Sequence, residues 1–202
     1  GRNVLFLFDS ITRFAEAHRE TALLAGETPA LNAFPPSTVR VIAELAERTG
    51  PGTDGKGDIT AVYSVLVAGS DMEEPVADMI RGILDGHIIL SREIAERGRY
   101  PAIDILRSVS RSLPHAATDE QNVLIRDARR MLALYEEVSP MLRANLYEPG
   151  KDAEADRAIG LFQALDGFAA TRSKAGISDA FEQLRAVLST ETRAVPIQVM
   201  TP

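Results

Sequence analysis

The stretch VLFLFDSITRF, Val4–Phe14, decides how the first half of the chain folds. Five apolar residues run unbroken from Val4 to Phe8. They stop at the carboxylate of Asp9, followed by the hydroxyls of Ser10 and Thr12 and the cation of Arg13. A short continuous apolar run is the pattern of a strand buried on both faces, as in parallel sheets covered by helices. From Ile11 to Ala25, Phe14, Ala15, Ala22 and Leu23 are interleaved with Glu16, Arg19 and Glu20, which predicts a helix stopped by Gly26. Asp9 therefore stands at the carboxyl end of a strand, where open α/β sheets bind their ligands. The same residues also suit an ordinary helix cap, since Asp and Ser satisfy the orphan N–H groups of a first turn.

Working outward, Pro29, Pro35 and Pro36 stiffen a loop, and Ser37 is placed to cap a second helix running to Arg48. The Gly/Pro-rich Thr49–Asp58 reads as a mobile hairpin tip, and Ile59–Val67 as a second buried strand. Then come a helix over Pro75–Leu84, a short strand over His87–Leu90, a helix over Ser91–Arg97 and a strand over Pro101–Leu106. Strands alternating with helices predict a parallel α/β sheet.

The pattern changes after Pro114. Thr118 and Gln121 have the spacing of a capping box. Leu124, Ala128, Met131, Tyr135, Val138 and Leu142 then recur at spacings of four and three, the mark of a one-faced helix. Lys151-Asp152 opens another helix with Ile159, Phe162, Leu165 and Phe168 on one face, and Ser178–Leu188 makes a third. The expected organisation is an α/β part over 1–115 and a small all-α helical domain over 116–202, with Pro114–Ala117 as hinge. The tail Ser189–Pro202 carries no pattern.

Composition sets the outer limits. The 202 residues are 45% hydrophobic and 25% charged, enough for a substantial core. No apolar run approaches the roughly 18–20 residues of a spanning helix. Absence of cysteine excludes disulfides and thiolate chemistry and agrees with a cytosolic address. A net charge of −7 argues against nucleic acid held by the overall field. Because the chain opens at Gly1 directly on a strand, it is expected to be a piece of a longer protein. His87 reads as structural. Asp71, Glu73, Glu74 and Asp78, lacking His or Cys nearby, read as a solvated loop and helix cap, and the role of Asp104 on its short strand stays open.

Together, DSITRFAEAHRE, AFPPS, the run from Gly57 to Ser112 and the LYEPGKDAEADRAI segment resemble the catalytic-subunit family of rotary ATPases, in its flagellar and type III secretion export branch. The resemblance covers nearly all of the chain before the tail. It implies a RecA-like parallel sheet followed by the helical domain, and it implies ATP and Mg²⁺ as cofactors. By position, Asp9 resembles the strand-end aspartate that holds Mg²⁺ through water, Ser10 its neighbour at the nucleotide, and Arg13 the helix arginine that reaches for phosphate. Tyr100, before the rigid Pro101, resembles the aromatic that stacks on adenine. Arg111, in SVSR, resembles an arginine finger that acts on a neighbouring subunit's site.

One departure is large. No G-x-x-x-x-G-K-S/T phosphate loop occurs anywhere in the 202 residues, and Gly55-Lys56-Gly57 does not replace it. The resemblance therefore implies the C-terminal portion of a homohexameric, ATP-hydrolysing motor for flagellar or type III protein export, itself inactive as an isolated polypeptide. Its implied partners are export chaperones and substrates, a central stalk and peripheral stator proteins, with no nucleic acid. The implied location is cytoplasmic, peripheral to the inner membrane at the export apparatus. Two alternatives stand beside it: a subunit of a proton-translocating ATP synthase, and a non-catalytic chaperone- or stalk-binding module.

Overall fold

The computed structural model describes residues 1–30, 34–70 and 72–190, so Asp71 and the tail from 191 onward lie outside the described residues. The chain divides into two compact units, Gly1–Asp85 and Gly86–Pro202.

The first unit contains β1 (Val4–Phe8), α1 (Ile11–Leu24), α2 (Pro36–Glu47), β2 (Ile59–Tyr63) and α3 (Pro75–Ile83). β1 and β2 pair in parallel, from Val4 opposite Ile59 to Phe8 opposite Tyr63. Parallel neighbours need a long crossover, and the segment carrying α1 and α2 supplies it. Ile11, Ala15, Ile42, Ala46, Val76 and Ile80 form the buried centre, with Phe8, Phe14 and Tyr63 packed against it.

Three expectations change here. Among the described residues only one face of β1 is covered: Leu5 and Leu7 are 64% and 67% exposed, whereas Phe6 and Phe8 are half-buried. The period of two sends Leu5 and Leu7 to the face opposite the packed core. Ser37 does not cap α2, because Pro36 already occupies its first turn after Pro35. Proline there sacrifices no hydrogen bond that the helix could have made. β2 ends at Tyr63 rather than Val67, since the Ser64 amide turns to the Phe8 carbonyl and the Leu66 amide to Thr12 Oγ1. The 49–58 turn is closed by reciprocal backbone hydrogen bonds between Gly50 and Ile59.

The second unit contains β3 (Gly86–Leu90), α4 (Arg92–Glu96), β4 (Ile103–Ser110), α5 (Asp119–Arg143), α6 (Ala153–Ala170) and α7 (Ile177–Leu188). β4 does not extend a parallel ladder but runs antiparallel to β3. The intervening segment holds only the five-residue α4, and Gly98, at φ +79, helps reverse the chain after it. Thr118 and Gln121 form the expected capping box at the start of α5. Met131, Ala158, Leu161, Leu165, Leu184 and Leu188 form the helical core. The buried face of α6 shares Leu165 with the expected stripe, and Phe168 packs against the same core, but its other buried members are Ala155, Ala158 and Leu161. Ile159 is only half-buried, and Phe162 stacks on Tyr135 with ring centroids 3.6 Å apart.

The connection between α5 and α6 is tied down by Asp156, which accepts from the Tyr147 hydroxyl and the Gly150 amide, both at 2.8 Å. Burial first, and then the Asp156 carboxylate, push the Tyr147 hydroxyl up to about 12. A folded pKa above the unfolded value near 10 favours the neutral form, so this contribution is intact below pH 10 and lost as pH rises toward 12. Difference-absorbance titration of the chain against Tyr147→Phe should show one tyrosine ionising late. Identical titration curves above pH 10 would contradict that assignment.

Candidate functional site

The carboxyl ends of β1 and β2 meet at one edge. Ser64 Oγ donates to Asp9 Oδ1 at 2.5 Å, and the Ile11 amide donates to the Ser64 carbonyl at 3.0 Å. Ser10, 4% exposed, caps α1 by accepting from the Arg13 amide at 3.3 Å. Thr12 Oγ1 donates to the Leu66 carbonyl and accepts from its amide, fastening the first turn of α1 to the segment after β2. Asp9 stays exposed, with one oxygen steadied and the other without a hydrogen-bond partner among the described residues. Arg13 is exposed on the first helical turn beyond it.

The structure thus brings Asp9, Ser10 and Arg13 to one strand end. Ser10 supplies the helix cap, and Asp9 stands exposed just beyond the end of β1. An exposed carboxylate of this kind suits a cation held through water, which needs no dedicated cage. Among the described residues no group of three His, Asp or Glu side chains converges as a metal site.

In the second unit Tyr100 is 65% exposed and Pro101 follows it at the surface. Beneath them lies Arg99, 9% exposed, which carries no signal in the sequence. Its guanidinium donates to the Pro101 and Ile103 carbonyls, each at 2.8 Å, and pairs with Asp166 on α6 at 3.2 Å. An aromatic face open to solvent above a fixed backbone is what stacking on a planar base requires. Arg111 is exposed, immediately after β4.

Other candidates prove structural. His87 Nε2 is 3.2 Å from the Arg107 carbonyl, and Asp104 Oδ1 accepts from the Arg107 amide at 3.0 Å. Glu74 accepts from the Ala68 amide, and Asp78 pairs with Arg81 on α3. No described helix is long and apolar enough to cross a membrane.

Residues 1–110 match the ATP synthase alpha/beta family, nucleotide-binding domain, and residues 117–187 match the T3SS EscN ATPase C-terminal domain. The chain is 46% identical over 168 residues to the flagellum-specific ATP synthase of Treponema pallidum, covering 83% of this chain and 37% of that protein. It is 49% identical over 162 residues to the SPI-2 type 3 secretion system ATPase of Salmonella typhimurium, covering 80% and 37%. Among solved structures, the assembled ATPase EscN of enteropathogenic E. coli is 37% identical with a TM-score of 0.83, over 92% of this chain and 45% of that one. EscN in complex with its central stalk EscO gives a TM-score of 0.78 at 37% identity, over 92% and 44%. The chain spans 37% of the length of both curated relatives named here.

Proposed function

Since this chain belongs to the ATP synthase alpha/beta family, we propose that it is the C-terminal part of a hexameric ATPase that energises flagellar or type III protein export. The observation that carries this reading is the strand end at Asp9, where an exposed carboxylate, a capped helix start and Arg13 face one edge of a parallel pair. The match of residues 117–187 to an export-ATPase C-terminal domain favours export over a proton-translocating synthase.

On this reading residues 1–115 belong to the nucleotide-binding core and 116–202 to the helical domain. ATP is the nucleotide, and Mg²⁺ supplies charge neutralisation at its phosphates. Asp9 orients the water around that cation, Ser10 holds the backbone beside it, and Arg13 reaches toward the terminal phosphate. Tyr100 stacks on adenine with Pro101 rigidifying the approach, and Arg111 serves a neighbouring subunit. Self-association, here as a homohexamer, and a central stalk are the partners suggested by the assembled EscN and its complex with EscO. Export chaperones, export substrates and peripheral stator proteins complete the machine, at the cytoplasmic face of the inner membrane.

The experiment is steady-state ATP hydrolysis by the full-length protein with Mg²⁺, wild type against Tyr100→Ala. Base stacking is worth about 1–3 kcal/mol, so ATP affinity should fall roughly five- to 150-fold with little change in kcat. Absence of Mg²⁺-dependent hydrolysis, or an unchanged KM, would overturn the assignment.

A further inference from the structure

We propose that Arg129, on α5, is the positioning residue for Arg111: it holds open an irregular segment of β4 that sets where Arg111 leaves the strand. The inference rests on Arg111 being the group that completes a neighbouring site. In the β3–β4 ladder His87 pairs with Val109, whereas Ile89 pairs with Asp104. Ile88 alone therefore faces the four residues Ile105, Leu106, Arg107 and Ser108. Such a bulge removes carbonyls from the ladder, and each needs another partner.

Three of the four carbonyls accept from one side chain, and the fourth faces a histidine ring nitrogen. Arg129 Nη1 donates to Ile105 at 2.6 Å and to Ser108 at 3.3 Å, and Arg129 Nη2 donates to Leu106 at 2.9 Å. The Arg107 carbonyl lies against His87 Nε2. The bulge also borrows a hydroxyl for the ladder, since the Ile89 amide donates to Ser108 Oγ at 3.0 Å. Regular pairing resumes only at Val109 and Ser110. There Gly86 is required, because a Cβ on it would come within 2.5 Å of the Val109 carbonyl. Arg111 is the next residue after this pinned pair.

Arg129 forms no ion pair among the described residues, so its planar fork is spent entirely on this backbone. Lysine, a point charge, does not reproduce three donors aimed at three carbonyls. Loss of the fork leaves those carbonyls unpaired, and the bulge rearranges directly upstream of Arg111. A displacement of about 1 Å at a transition-state group costs on the order of 10²-fold in rate.

The test uses the full-length protein with Arg129→Met and Arg129→Lys. Both should lower kcat about 10²-fold with MgADP affinity unchanged. In rings mixed with Asp9→Ala subunits, which retain Arg129 and Arg111, turnover should return, because the defect lies in what a subunit gives its neighbour. Ser108→Ala, which spares the helix, should lower kcat in the same direction if the Arg129 variants fold poorly. Wild-type kcat in the Arg129 variants, or in Ser108→Ala where those variants do not fold, overturns the inference. So does a loss that mixed rings fail to relieve. If Arg111→Ala itself leaves kcat intact, the finger assignment fails instead, and the two failures are told apart.

Discussion

Arg111→Ala in the full-length protein should abolish steady-state ATP hydrolysis, a loss of about 10³–10⁵ in kcat, while nucleotide affinity stays within a few-fold of wild type. The asymmetry follows from when the arginine acts. A cation directed at the transferring phosphoryl stabilises charge that develops in the transition state, so removing it lowers kcat without weakening ground-state binding. Arg111 emerges exposed just after a strand whose last pairs are fixed by Gly86, a placement suited to reaching outward into another subunit. On the proposed function Asp9→Ala should be as damaging for a different reason, since Asp9 would serve the site of its own subunit. The two dead proteins are therefore complementary. An Arg111→Ala subunit keeps its own Asp9, and an Asp9→Ala neighbour offers it an intact Arg111. Mixed rings of the two should recover measurable turnover, and confirmed mixed rings without turnover would remove the trans role.

The local geometry of the first half of the candidate site is legible in the sequence because its signals are local. The apolar run Val4–Phe8 ends at Asp9, and Ser10 lies at helix-cap spacing from the Arg13 amide. The parallel pairing with Ile59–Tyr63 followed from the helices between the two strands. The second half depends on contacts far apart in sequence. Nothing in the RDARRM segment distinguishes Arg129, which binds β4 carbonyls, from Arg130, which pairs with Glu154 on the surface. Arg99 likewise reads as one more loop cation, and its partner Asp166 is 67 residues away. The antiparallel course of β4 was hidden for the same reason, since alternation of elements does not encode which way a strand runs after a five-residue helix.

The buried face of α6 keeps Leu165 and Phe168 of the expected stripe and adds smaller side chains to it. Large side chains dominate a periodicity count, which places Ile159, Phe162, Leu165 and Phe168 on one stripe. The folded helix buries Ala155, Ala158, Leu161 and Leu165, because alanines lose no rotamer entropy on burial and fit against the neighbouring core. Leu161 is 1% exposed among Met131, Leu165, Leu184 and Leu188. Its truncation to alanine removes methyl groups and leaves a cavity that neighbouring helices close only in part. Leu161→Ala should therefore cost about 2–5 kcal/mol. Ile159 is half-buried, so Ile159→Ala forfeits only part of the transfer free energy, about 1 kcal/mol, and water fills the space. Urea unfolding of the 202-residue chain, followed by helical circular dichroism, compares the two directly. An equal or larger loss for Ile159→Ala would place Ile159 in the buried face beside Leu165.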